Sequence, residues 1–330
     1  MNLKSASCIV RHPANPILTA SDIPFPATLI FNAGVAKFRG RYVMLFRNDY
    51  GGTPGVDKFA GTNIGVAWSD DGVHWTPEDK PWIEWNEGPH GEVRRAYDPR
   101  ISVIGDKAYL CFAVDTKHGI RGGVAVTEDF KEWNILSLSA PDNRNMVIFP
   151  DLVNGKLARF ERPFPIYGRG APENFDLWYS DSPDGEYWGN TRLVLGAEQV
   201  PWCNSKIGPG APPIRTDRGW LTLFHAVNRD PSCELPAWHR GWDKTYTIGL
   251  MLLDLNEPWK ILGMHREPLM VPEAPYEREG YRGDVLFPGG MILEADGEVK
   301  IYYGAADTVE CLATARVEEL LALCETSFTP

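Results

Sequence analysis

Short runs that alternate apolar and polar positions recur along the chain in pairs, at Phe31–Asp49, Tyr97–Asp115, Phe149–Pro163, Lys206–Val227 and Phe287–Asp307. Each pair surrounds a glycine-containing turn: Arg39-Gly40, Gly105-Asp106, Asn154-Gly155, Arg218-Gly219 and Asp296-Gly297. A period of two marks strands, and Gly, Asn and Asp tolerate the positive φ of tight turns, so each pair predicts an antiparallel hairpin. A further strand-like run follows each hairpin. Four of these end in an acidic turn and a tryptophan: IGVAWSDDGVHW at Ile64–Trp75, GGVAVTEDFKEW at Gly122–Trp133, FDLWYSDSPDGEYW at Phe175–Trp188 and YTIGLMLLDLNEPW at Tyr246–Trp259. The fifth, CLATARVEEL at Cys311–Leu320, continues into a helix-like carboxyl end.

The unit of strand, turn, strand, loop, strand, acidic turn and Trp therefore occurs five times, at intervals of roughly 60 residues. A unit of that size with three or four antiparallel strands is a propeller blade, and a blade buries its faces only against neighbours. The expectation is an all-β fold, a five-bladed β-propeller with a central active site. It would form a single domain over residues 1–330, with a short extension to about residue 13 and a helix-like end from about residue 316. An irregular β-sandwich with a tryptophan-filled core is the alternative.

Composition agrees: 32 Gly and 27 Pro supply turns, and 12 Trp, 12 Tyr and 14 Phe suit short aromatic strands. A net charge of −11 disfavours non-specific nucleic-acid binding, which needs excess Lys and Arg. No P-loop and no metal-ligand motif occurs, so no nucleotide, metal or other cofactor is expected. Cys8, Cys111, Cys203, Cys233, Cys311 and Cys324 form neither a CxxC pair nor a zinc spacing with His. Met1–His12 lacks a signal-peptide core, and no run of 18 apolar residues predicts a membrane span. A reduced, cytoplasmic protein is expected.

Candidate chemistry sits at equivalent hairpin ends, which a propeller gathers around its axis. Asn32, Arg47, Asn48 and Asp49 bracket the first hairpin, Asp98-Pro99-Arg100 and Asp115 the second. Arg144 precedes the third, which closes with Glu161-Arg162. Lys206 and His225 bracket the fourth, and Asp284 and Asp307 the fifth. Asp98, Asp115, Asp49 and Asp307 suit general-acid work and hydrogen bonds to sugar hydroxyls. Arg144, Arg162, Lys206 and His225 come from consecutive blades and suit an anion, with arginine offering a bidentate fork to phosphate. Taken singly, each has a plain reading: a surface arginine, a core histidine, a turn-forming aspartate, a tryptophan that fills its blade. Their common register favours a shared site.

At these same residues the chain resembles glycoside hydrolase family 130, the β-mannoside phosphorylases. The matching stretches are FNAG at Phe31, FRND at Phe46, YDPR at Tyr97, NRNMVIFP at Asn143, ERP at Glu161, SKIGPGAPPI at Ser205, FHAV at Phe224, LLDLNEPWKI at Leu252 and YYGAADT at Tyr302. The resemblance implies a five-bladed propeller and inverting phosphorolysis of β-mannosides to α-mannose 1-phosphate and a shortened acceptor. It implies Asp98 as proton donor, relaying through the sugar's 3-hydroxyl, and Arg144, Arg162, Lys206 and His225 as the phosphate set. It places Asn32, Arg47, Asp49, Tyr97, Asp115 and Asp307 in the substrate site. Partners would be an oligosaccharide and inorganic phosphate as co-substrate; a homo-oligomer suits an enzyme of this kind. Ala33 stands where many β-1,4-active members carry serine. The loops Phe164–Asp176 and Cys233–Lys244 depart from the family pattern and are expected to border the acceptor subsite.

The resemblance is physically coherent. An inverting glycosidase needs a second carboxylate, roughly 6.5–9.5 Å from the first, to activate water. Phosphate is already a nucleophile and needs charge neutralisation and alignment instead. Two other readings remain at this point: a β-mannosidase of the same fold, and a carbohydrate-binding propeller without catalysis.

Overall fold

In a computed structural model of the chain, residues 3–83, 93–165, 175–229 and 242–325 are described. Five antiparallel sheets follow one another around a ring. Blade 1 comprises Leu29–Phe38, Arg41–Tyr50, Gly61–Ser69 and Thr76–Pro77. Blade 2 comprises Val93–Ile104, Lys107–Thr116, Gly119–Thr127 and Asn134–Leu138. Blade 3 comprises Asn143–Ile148, Leu157–Pro163, Leu177–Ser182 and Gly189–Leu195. Blade 4 comprises Lys206–Pro209, Gly219–Arg229, Lys244–Leu253 and Ile261–Met264, with Ile214–Thr216 also paired to its second strand. Blade 5 comprises Leu286–Leu293, Glu298–Ala305 and Val309–Arg316, and takes its outer strand, Val10–Arg11, from the other end of the chain. The all-β five-bladed propeller is the observed architecture. The first strand of each blade lies innermost.

The core is a ring of seams. Val43, Leu45 and Ile64 of blade 1 meet Ile101, Leu110 and Phe112 of blade 2. Cys111 and Val124 meet Met146 and Ile148 at the next seam. Phe149, Phe160 and Tyr179 meet Ile207, Trp220 and Phe224; Leu223, Ile248 and Leu250 meet Ile301 and Tyr303; Tyr302 and Leu312 return to Met44 and Phe46. Sheets covered on both faces explain why strand centres are continuously apolar.

The predicted hairpins form, with two differences: the fourth turn is Asp217-Arg218 instead of Arg218-Gly219, since Gly219 pairs with Thr216, and the third hairpin is shifted. Arg39-Gly40 and Asn154-Gly155 have positive φ at both residues, as primed turns require. The third hairpin, expected from Phe149, instead uses Asn143–Ile148 as its first strand. Phe149–Lys156 becomes the connection because Pro150 has no N–H to donate to a ladder.

The acidic turns share one geometry. Asp71 Oδ1 accepts from the N–H groups of Val73 and His74, Asp129 from Lys131 and Glu132, Asp184 from Glu186 and Tyr187, and Asp254 from Asn256 and Glu257. Local capping of the backbone, rather than catalysis, explains these repeated acids. The tryptophans fill blades: Trp75 packs on Tyr302, Trp133 on Phe112, Trp188 under Arg159 and Trp259 on Tyr179. Among the described residues, no helix is long and apolar enough to cross a membrane.

Candidate active site

Three consecutive inner strands carry the same irregularity. Asn32 and Ala33 stand between the paired positions Phe31↔Arg47 and Gly34↔Leu45. Asp98 and Pro99 stand between Tyr97↔Ala113 and Arg100↔Cys111, and Asn145 and Met146 between Arg144↔Arg162 and Val147↔Phe160. Each is a bulge with two residues opposite one. Asn32, Asp98 and Asn145 adopt left-handed conformations, with φ of 55°, 51° and 56°. Asn and Asp tolerate that region better than other side chains, yet it still stores strain of about 1 kcal/mol or more, of a kind that clusters at functional sites. The bulges turn these side chains out of the strand faces and into one cavity on the axis.

That cavity has a volume of about 160 Å³. Of the residues predicted from sequence, Asn32, Arg47, Tyr97, Asp98, Arg144, Arg162 and Asp307 line it. Asp49, Asp115 and His225 stand behind that lining, bonded to Arg47, Tyr97 and Arg162, and Lys206 lies beside Phe175 outside it. The sequence reading missed Arg95, Asn145, Trp242, Tyr246, Val285 and Phe287 on the wall. Asn145 was within reach, since RNMV repeats the placement of FNAG and YDPR; the others belong to no repeated signal. Of the two unusual loops, Trp242 lines the cavity and Phe164 and Phe175 lie against Arg144 and Arg162, whereas residues 166–174 and 230–241, Cys233 among them, lie outside the described residues.

Asp98 is tied down on one side. Its Oδ1 accepts from Asn32 Nδ2 at 3.1 Å and Arg47 Nη1 at 3.3 Å. Arg47 is fixed in turn by Asp49, at 3.0 and 2.7 Å, and Asp49 accepts from Thr62 Oγ1 at 2.7 Å. Burial alone would raise the Asp98 pKa. The Arg47 guanidinium, the Asn32 amide, Arg100 and Arg144 outweigh it and hold the carboxyl below its ordinary value. Asp115 accepts from Tyr97 Oη at 2.8 Å and Arg95 Nε at 2.6 Å, so it orients wall residues from behind.

Asp307 behaves oppositely. Its burial, reinforced by Asp98 and Asp49 and opposed by Arg47 and Arg282, pushes it up to about 7. One cavity thus holds one carboxyl kept ionised and another that titrates near neutrality.

The basic side is built by Arg144 and Arg162, cross-strand partners in blade 3. Arg162 is 2% exposed. Its Nη1 donates to His225 Nε2 at 3.1 Å, while its Nε and Nη2 have no partner among the described residues. Arg144 Nε is likewise buried without one. Burial and the neighbouring Arg144 charge push Arg162 down to about 9. Two adjacent guanidiniums that both line the cavity, with no carboxylate paired to either among the described residues, fit an oxyanion. His225 Nδ1 lies 3.2 Å from Pro209 O and donates to it, leaving Nε2 as acceptor. Burial, with Arg162, Arg100 and Lys206, drives its pKa well down. His225 is therefore neutral and orients Arg162 instead of supplying charge. Lys206 Nζ lies 5.3 Å from the Phe175 ring centroid, and Arg162 stacks on the same ring at 5.0 Å.

Beneath the cavity, Arg100 closes the axis. Nε donates to Gly210 O at 2.9 Å, Nη1 to Pro99 O and Asn32 O at 2.8 and 3.2 Å, and Nη2 to Pro288 O at 3.0 Å. One side chain thereby joins carbonyls from blades 1, 2, 4 and 5, including that of left-handed Asn32. Buried Glu310 accepts from the Ala33 N–H and supports the same bulge. Gly289 is needed here, because any side chain would run into the Ala33 carbonyl.

A family profile described as β-1,4-mannooligosaccharide phosphorylase, that of glycoside hydrolase family 130, matches residues 11–326. The chain belongs to this family. Within the family, it is 35% identical to a β-1,4-mannooligosaccharide phosphorylase of Ruminococcus albus, over 96% of this chain and 92% of the relative. It is 29% identical to a 4-O-β-D-mannosyl-D-glucose phosphorylase of Bacteroides fragilis, over 96% of this chain and 79% of the relative. The solved β-1,2-mannobiose phosphorylase of Listeria innocua, in complex with β-1,2-mannobiose, superposes with a TM-score of 0.81 at 27% identity, covering 99% of this chain and 100% of that one. These family members differ in linkage and acceptor.

Proposed function

We propose that this protein is an inverting β-mannoside phosphorylase, transferring mannose from a β-mannoside to inorganic phosphate. The observation that carries the reading is the adjacent Arg144–Arg162 pair, with Arg144 Nε and Arg162 Nε and Nη2 unpartnered among the described residues, in one cavity with the tethered carboxyl of Asp98. Phosphate would be gripped by the two arginines, with Lys206 adding charge and His225 holding Arg162 in place. Its oxygen would attack the anomeric carbon, the bond to the acceptor oxygen would break, and Asp98 would supply that oxygen's proton through the sugar's 3-hydroxyl. Asn32, Arg47, Tyr97 and Asp307 would hold the mannosyl ring, and Asp49 and Asp115 would steady Arg47 and Tyr97.

Against burial, Arg47, the Asn32 amide and Arg100 lower the Asp98 pKa most, and Arg144 adds a smaller share; phosphate on Arg144 would offset that share and so raise the donor's pKa in part. A cytoplasmic setting is consistent with free Cys8, Cys111, Cys203, Cys311 and Cys324.

Product analysis tests the proposal. Purified protein is incubated with β-1,4- and β-1,2-mannobiose and mannosyl-glucose, with and without inorganic phosphate. Mannose 1-phosphate formed only with phosphate is expected. Free mannose formed regardless of phosphate would make it a β-mannosidase. Sugar binding without any product would make it a binding propeller.

A further inference from the structure

A second cavity, of about 530 Å³, adjoins the first and shares Arg95 with it. It lies between the connection of the second and third strands of blade 1 (51–60) and the segment that carries Tyr281 and Arg282. The catalytic cavity is below the roughly 300–1,000 Å³ usual for ligand pockets, whereas the second falls within that range. A bound mannosyl ring and phosphate leave the catalytic cavity little room for the acceptor, and the shared Arg95 wall gives it a place to continue.

The chemistry of the second cavity is specific. Phe59 packs edge-on to Tyr281 at 5.4 Å, an aromatic corner of the kind that holds a sugar face. Arg282 is held between the rings of Tyr281 and Trp242, 4.8 Å from each centroid. Lys58, Arg94 and Arg282 line the cavity; Arg282 also acts on the Asp307 carboxyl, and its charge is shared between the two cavities. Among the described residues Asp57 is the one carboxylate on this wall, and Arg95 is already neutralised by Asp115. In a chain of net charge −11, this surplus of cations is local and faces the acceptor side.

Resting on the phosphorylase reading, we infer that this cavity is an acceptor subsite for a sugar bearing an anionic group, a uronate carboxylate or a phosphate ester. The aromatic corner takes the ring, and Lys58, Arg94 and Arg282 take the charge.

Reverse phosphorolysis provides the test. The acceptor's hydroxyl oxygen bonds to C1 of mannose 1-phosphate as the C1–O bond to phosphate breaks. Its proton passes to the Asp98 carboxylate by way of the sugar hydroxyl, and inorganic phosphate leaves with the electron pair. Phosphate release from mannose 1-phosphate is measured with glucose, N-acetylglucosamine, mannose, glucuronate and glucose 6-phosphate as acceptors. The expected result is a kcat/KM at least about tenfold higher for an anionic acceptor than for glucose, the worth of one charge-assisted hydrogen bond. Preference for glucuronate alone identifies a carboxylate, and preference for glucose 6-phosphate alone a phosphate ester. In the double variant Lys58→Gln, Arg94→Gln, whose folding is checked by its melting temperature, the ratio of anionic to neutral acceptor should fall by a similar factor. Efficient use of neutral acceptors with no anionic preference overturns the inference and leaves the phosphorylase intact. A preference that survives the double variant also overturns it. No release with any acceptor overturns the phosphorylase reading and the inference together.

Discussion

Replacing Arg162 with methionine is expected to stabilise the unliganded protein while removing its response to phosphate. Arg162 is buried, lies across the strand from Arg144, and has two nitrogen donors without partners. Its pKa is pushed from 12.5 to about 9 by burial and by Arg144. A drop of that size amounts to roughly 5 kcal/mol against the charged form in the fold, at 1.36 kcal/mol per unit. The sign follows from linkage: a base with a lowered native pKa costs stability at all pH values below it, and the cost fades as pH rises towards 12.5. Methionine removes this cost but gives up the hydrogen bond to His225, worth about 1 kcal/mol, and the stacking on Phe175, worth up to about 2 kcal/mol when desolvated. A net gain of about 2 kcal/mol should remain, read as a rise in melting temperature at pH 7 without phosphate. The unsubstituted protein should gain about 2.7 kcal/mol when phosphate reaches a hundredfold excess over its Kd. The variant should gain almost none and should lose phosphorolysis. Destabilisation of the phosphate-free variant, or an undiminished shift with phosphate, would refute the reasoning that this arginine is held charged for an anion.

Asp98→Asn keeps the shape and the Asn32 contact but cannot donate the required proton. Phosphorolysis should fall at least about 100-fold with the melting temperature within a few degrees of the parent; retained turnover sinks the role of Asp98. Arg100→Met would leave the Gly210, Pro99, Asn32 and Pro288 carbonyls without their donor, at roughly 1–3 kcal/mol each. That outweighs the roughly 3 kcal/mol relieved by removing a guanidinium whose pKa burial pushes down to about 10. Chemical denaturation should report a net loss together with reduced kcat, and a neutral effect would disprove the axial clamp. Asp307 keeps its proton to about pH 7 in the fold and loses it near 4 when unfolded, so its contribution falls as pH rises across that window. Asp307→Asn should therefore gain stability over the parent at pH 8 relative to pH 5, by at most about 2.7 kcal/mol (the two units between pH 5 and 7) and less where cavity water screens the charge; a pH-independent difference would contradict the raised pKa.

Much of the propeller was legible in the sequence because its signals are local. Arg39-Gly40 and Asn154-Gly155 specify primed turns through their own φ values, and Asp71, Asp129, Asp184 and Asp254 cap their own following residues. Apolar runs on either side of glycine-containing turns marked most strands, although their centres are continuously apolar where alternation was expected, and the fivefold repeat marked the blades. The repeat also placed Asp98, Arg144 and Arg162 at equivalent ends, which was enough to suggest a common site. What tertiary structure decided depends on closing the ring. Only closure brings Val10–Arg11 to the edge of blade 5, and lets Arg100 bridge four blades. The shift of the third hairpin, by contrast, has a local cause, the missing N–H of Pro150. His225 depends on tertiary contact: its sequence position suggested a cation, but burial beside Arg162 makes it a neutral acceptor. Trp242, Tyr246 and Phe287 reach the cavity from separate blades and loops without a shared motif, since their convergence reflects distance across the axis and not spacing along the chain. Residue identity and local geometry set which turns and strands could form; the closed ring set which side chains share a low-dielectric cavity, and therefore which are charged there.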